Sequence, residues 1–254
     1  MSRRQTPWTR RPMSRRESSR SARSAEPLVH MGADGFSWLI RLPERGAALG
    51  ARKPRATVEI SAGGDGCESR NPERILVPVA VARALEASDG PEPTCRAELL
   101  YRIRERADSC AWTRVVDMAS RREHSASEAA TRLVRDGYSS ACAERAVERA
   151  KAARIIDDGR FVDSFVRAKV ASGWGPLRIE RELSLRGIEV GELPGWPDAY
   201  TGEETATDRA FELLSRRRVP DKNAYPKLVR FLASKGYPLS VAKDAVEKRL
   251  ACDR

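Results

Sequence analysis

The sequence has no apolar run close to the roughly 20 residues that span a bilayer as a helix. The longest, ILVPVAVARAL from Ile75, is broken by Pro78 and Arg83. A soluble protein without membrane contact is therefore expected. Histidine is nearly absent, with only His30 and His124, and the five cysteines Cys67, Cys95, Cys110, Cys142 and Cys252 are scattered and never spaced as CxxC. So few paired ligands argue against a zinc site and for a reducing, cytoplasmic setting. A G-x-x-x-x-G-K-[ST] phosphate loop, a nucleophile elbow and a zinc signature are all missing. Neither catalysis, nor a metal, nor a cofactor is expected.

What is present is charge. Of the 254 residues 41% are apolar and 33% charged, the balance of a soluble, mostly helical chain with enough apolar material for a core. The net charge of +11 is unevenly spread. Residues 1–24 hold eight arginines against one glutamate, residues 25–93 carry 8 basic and 10 acidic side chains, and residues 94–254 carry 31 and 25. The first segment lacks an apolar core, so it reads as a basic, disordered tail rather than a secretory signal. Such a tail adds salt-sensitive attraction to nucleic acid or another polyanion.

Beyond the tail, FSWLIRL from Phe36, ATVEI from Ala56 and RILVPVAVARAL from Arg74 are short extended runs separated by Gly and Pro. They predict a small β-containing module with a short helix near Val79 to Ala87. SDGPEP at 88–93 reads as a linker, after which apolar residues recur at helical spacing. One element then repeats. Leu133 to Tyr138, Leu183 to Ile188 and Leu232 to Tyr237 share L-x-x-x-G-[YI], at separations of 50 and 49 residues. A helix closed by a left-handed glycine commonly packs the residue after the glycine on the residue four before it. The leucine and the tyrosine or isoleucine fit those two places. Each copy is preceded by a further helix, in TRVVDMASRR, RFVDSFVRAK and RAFELLSRRR, and the first and third are followed by one containing Ala146-Val147-Glu148 or Ala245-Val246-Glu247. Pro194 and Pro197 predict a shortened third helix in the middle copy.

The expected fold is mainly α: three tandem three-helix repeats forming an elongated curved body, after a small β-containing module and a disordered basic tail. The boundaries read as tail 1–27, module and linker 28–93, and repeats 94–156, 157–204 and 205–254.

The middle repeat opens with IIDDGRFVDSFV, in which Asp157 and Asp158 stand together. No histidine or cysteine lies near them, so a helix cap and first turn explain them better than acid–base or metal chemistry. GWGP at 173–176 follows a helix instead of a strand and reads as a helix–helix turn ending at Pro176. Arg160 and Arg167 are seven apart, and Arg178 and Arg181 three apart, so each pair can share a face opposite an apolar stripe. With Lys169 and Arg186 they form either a solvated face or a contact surface; Arg216, Arg217 and Arg218 allow the same two readings. Trp112 and Trp174 are expected to pack rather than to stack on bases.

The segment from Arg154 to Ile188 resembles the central repeat of the RecX family, bacterial regulators of the RecA recombinase. The resemblance rests on Ile156, Asp157, Asp158, Arg160, Phe161, Phe165, Val166, Arg167, Gly173, Gly175, Arg178, Ile179, Leu183, Arg186, Gly187 and Ile188. SRREHSASEAATRLVRDGY and YPKLVRFLASKGYPLSVAKDAVEKRL look like the first and third repeats, extending it over about 108–252. Two departures stand out. Arg154 and Ile155 replace a glycine and an aromatic common in the family, so the turn there is expected to differ, and the prolines after Gly187 affect the angle between repeats. The resemblance implies a cytoplasmic, non-enzymatic, monomeric regulator. It implies binding to RecA and its filament on DNA, lowering recombinase, ATPase and co-protease activities in DNA repair and the SOS response. The basic residues named above become candidate contacts to RecA or DNA. The alternative is a helical-repeat nucleic-acid-binding protein that acts independently of RecA.

Overall fold

The computed structural model describes residues 29–32, 36–44, 53–62, 72–201 and 204–252. The tail at 1–27 and Cys67 lie outside them.

Four antiparallel strands pair in chain order: β1 (Val29–Met31), β2 (Phe36–Arg41), β3 (Arg55–Ala62) and β4 (Glu73–Pro78). The register places Trp38 opposite Ile60 and Val58 opposite Ile75. Alternation then puts Phe36, Trp38, Ile40, Val58, Ile60 and Val77 on one buried face. On the other face Glu59 accepts hydrogen bonds from Arg41 Nε at 2.9 Å and Arg74 Nε at 3.1 Å. These two side chains shield it, and the Arg41 bond leads in holding its carboxyl below the usual range. The run ILVPVAVARAL divides at Pro78, which ends β4 and precedes α1 (Val79–Glu86). β1 has only three residues, too few to show a period in the sequence.

The helices follow in threes: α2 (Arg96–Ala119), α3 (Ala126–Arg135) and α4 (Ser140–Ala152); α5 (Asp158–Ala171), α6 (Pro176–Ser184) and α7 (Asp198–Thr201); α8 (Ala206–Ser215), α9 (Ala224–Lys235) and α10 (Leu239–Cys252). The middle set is the irregular one, as its prolines require: a 3₁₀ turn at Val190–Glu192 and the four-residue α7 replace a full helix. The sheet, α1 and the first helical set share one core, while α5–α6 and α8–α10 each bury their own cluster.

The three glycine caps form as the repeat predicts. Tyr138, Ile188 and Tyr237 each donate a backbone N–H to the carbonyl of Leu133, Leu183 and Leu232, all at 3.1 Å. The glycines Gly137, Gly187 and Gly236 have positive φ. All three leucines are fully buried, with the capping residue packed beside them. Helix starts are capped locally by Ser125, Ser139, Asp157 and Thr205, whose side chains accept from the N–H three residues on.

The middle helices α3, α6 and α9 meet end to end. At the first junction Gly175 N–H donates to Lys235 O (2.8 Å) and Leu177 N–H to Gly236 O (3.1 Å), so unpaired amides opening α6 meet unpaired carbonyls closing α9. At the second, Ser125 Oγ, which caps α3, donates to Arg186 O at the end of α6 at 2.9 Å. Each junction joins a positive helix end to a negative one.

Candidate contact surface

α5 and α6 pack through Phe161, Val162, Val166, Ile179 and Leu183, all buried. That burial turns the intervening cations outward, where half-buried aromatics organise them. Arg186 lies 4.9 Å from the centroid of Phe165 and Lys169 5.2 Å from the same ring. Lys169 is also 4.6 Å from the Trp174 centroid, and Arg178 is 3.8 Å from it. Arg186, Phe165, Lys169, Trp174 and Arg178 thus form an interleaved row of cations and rings. Trp174 follows the left-handed Gly173 that ends α5, and its N–H donates to Lys169 O at 3.0 Å. The same cap that turns the chain therefore positions the ring. It is half-buried, in line with a packing role.

The other candidates separate. Arg167 and Arg181 are exposed and have no acidic partner among the described residues. Arg160 turns back instead, pairing with Glu123 at 3.3 Å and donating to Ile155 O at 3.3 Å. Arg186 pairs with Glu182 at 2.6 Å and Glu128 at 3.1 Å, besides its ring contact. In the third set Arg216 pairs with Glu212, Arg217 lies 4.4 Å from the Phe231 centroid, and Arg218 stays almost fully exposed, 3.9 Å from Asp221.

The acid pair is structural on both counts. Asp157 Oδ1 accepts from Arg160 N–H at 3.0 Å, capping its own helix. Asp158 Oδ1 accepts from Ala126 N–H at 2.8 Å, capping α3 in the preceding set. Beside it Glu128 collects Arg122 (3.2 Å), His124 (3.2 Å) and Arg186 (3.1 Å). His124 is nearly buried, and desolvation first, then Arg122, pushes its pKa down despite Glu128. The sequence placed Phe165 among the residues of the family resemblance but not with the cations its ring organises, and Glu128 went unnoticed. Phe165 had an i,i+4 signal toward Lys169; Glu128 had none toward Arg186, 58 positions away. Among the described residues no cluster of His, Cys, Asp and Glu is suited to a metal ion, and no helix is long and apolar enough to cross a membrane.

Residues 157–190, which contain the interleaved row, match the family model described as RecX, second three-helix domain. The regulatory protein RecX of Acidithiobacillus ferrooxidans is 30% identical over 133 residues, covering 52% of this chain and 85% of that protein. That of Pseudomonas putida is 28% identical over 130 residues, covering 50% and 82%. The crystal structure of RecX from Lactobacillus salivarius aligns with a TM-score of 0.47 at 15% identity, over 57% of this chain and 97% of that one. The chain belongs to the RecX family of regulatory proteins.

Proposed function

We propose that this chain binds the RecA recombinase and its filament on DNA and lowers its recombinase, ATPase and co-protease activities in DNA repair and the SOS response. It acts in the cytoplasm as a monomer without catalysis, in three repeats at 94–156, 157–204 and 205–254. The observation that carries the reading is the interleaved row of the middle set. Rings fix the cations of Lys169 and Arg178, which have no carboxylate partner among the described residues. Cations held this way lose little further side-chain freedom when a phosphate or carboxylate arrives. Arg167 and Arg181 add exposed, unpaired charge from the same two helices. Arg160 supports the joint between sets rather than the contact.

The test is RecA's DNA-dependent ATPase and strand exchange with substoichiometric protein, together with cosedimentation with filaments. Both activities are expected to fall and the protein to sediment with the filament. Unchanged activity without cosedimentation sinks the reading. Arg167→Glu with Arg181→Glu is expected to weaken filament binding at unchanged melting temperature, since neither side chain has a partner to lose. Binding to bare DNA that falls steeply with salt and ignores RecA would instead favour an independent nucleic-acid-binding role.

A further inference from the structure

A cleft of about 410 Å³ opens between α3 and α6, beside the joint of the first two helical sets. Its two carboxylates are already engaged: Glu128 by Arg122, His124 and Arg186, and Glu182 by Arg186. Arg132 and Arg135 on the α3 wall are exposed and have no acidic partner among the described residues. Spaced i,i+3, they present two guanidinium groups on one helix face. At the rim stands Leu185, 71% exposed although it directly follows α6. Two unpaired guanidinium forks beside an exposed apolar side chain call for a ligand with spaced carboxylates and an apolar group.

We propose that this cleft docks an acidic, leucine-bearing segment of a protein partner. Nucleic acid fits it less well. Neither Phe nor Tyr nor Trp lines the cleft to stack a base, and a phosphate backbone has no apolar group to set against the exposed Leu185. A peptide can set its carboxylates against Arg132 and Arg135 and its side-chain carbon against Leu185, while Glu128 and Glu182 stay neutralised by their own partners. The inference goes beyond the RecA reading and is tested without RecA, so either can fail alone.

The probe is a fluorescein-labelled synthetic peptide of repeating Glu-Glu-Leu, titrated with the full chain at physiological salt and followed by anisotropy. Saturable binding is expected. Arg132→Ala with Arg135→Ala should weaken it about tenfold or more, the loss of about 1.4 kcal/mol that two charge-assisted contacts readily account for. Leu185→Ser should weaken it less. If the double variant melts differently, Thr131→Glu, an exposed position on the same wall, should produce the same loss by repulsion. Absence of saturable binding, full binding by the charge variants, or displacement of the peptide by single-stranded oligothymidine would overturn the proposal.

Discussion

Arg154 occupies a left-handed conformation at φ 54°. Its N–H donates to Lys151 O and that of Ile155 to Ala150 O, both at 2.9 Å, so α4 ends with the same pair of bonds that closes the three glycine caps. The turn before the acid pair therefore keeps its geometry where a different turn was expected from Arg154 and Ile155. The reason is that backbone bonds fix the turn, and a residue other than glycine can enter it at an energetic cost. For an L-residue that cost is about 1–2 kcal/mol, partly offset because glycine loses about 0.4–1 kcal/mol more chain entropy on folding. Arg154→Gly is expected to stabilise the protein by about 0.5–1 kcal/mol, seen as a higher urea midpoint with an unchanged slope. A lower midpoint would mean that the arginine makes a contact that outweighs its backbone strain.

At the scale of elements, helix ends carry the information. Asp158 looks in the sequence like the second member of a local cap, yet its carboxylate holds Ala126 N–H, 32 positions earlier, at the start of α3. Asp158→Ala is expected to cost about 1 kcal/mol, with faster amide exchange localised at Ala126 rather than in α5. Asp158→Asn keeps an acceptor oxygen and should restore most of the protection. Equal exchange at Ala126 in all three proteins would show that the bond does not operate across the joint. The contrast with Asp157 explains what was legible. Asp157, the L-x-x-x-G caps and the prolines of VGELPGWPDAY act within a few residues, so local sequence revealed them. Asp158, Glu128 and Arg186 act through neighbours fixed only when two helical sets meet, and no periodicity encodes that. The basic candidates fall on both sides of this line: helical spacing turned Arg167 and Arg181 outward as expected, but only the joint with Glu123 shows why Arg160 points back.

For the whole molecule, the end-to-end meeting of middle helices decides how stability is shared. The third set owns its core around Leu214, Leu228, Leu232 and Val246. Its polar bonds to the middle set include those received by Lys235 O and Gly236 O. Stacked repeats of this kind unfold together only while the interfaces between neighbours stay favourable. Gly236 is where that interface is most exposed to substitution. Its φ is 91°, and a Cβ there would lie 2.3 Å from Arg178 Cβ and 2.6 Å from Arg178 N, atoms that cannot rotate away. Gly236→Ala therefore combines the left-handed penalty of about 1–2 kcal/mol with a backbone clash. It is expected to lower stability by about 2 kcal/mol or more and to push α6 away from α9. Denaturant unfolding followed by separate probes at Trp174 and in α10 should then split into two transitions where the unaltered protein gives one. Gly191→Ala is the control, since a Cβ at that position meets nothing within 4 Å. If Gly236→Ala unfolds in one coincident transition at the stability of Gly191→Ala, the end-to-end helix contact does not couple the sets. Cooperativity would then have to come from the side chains at the edges of their cores.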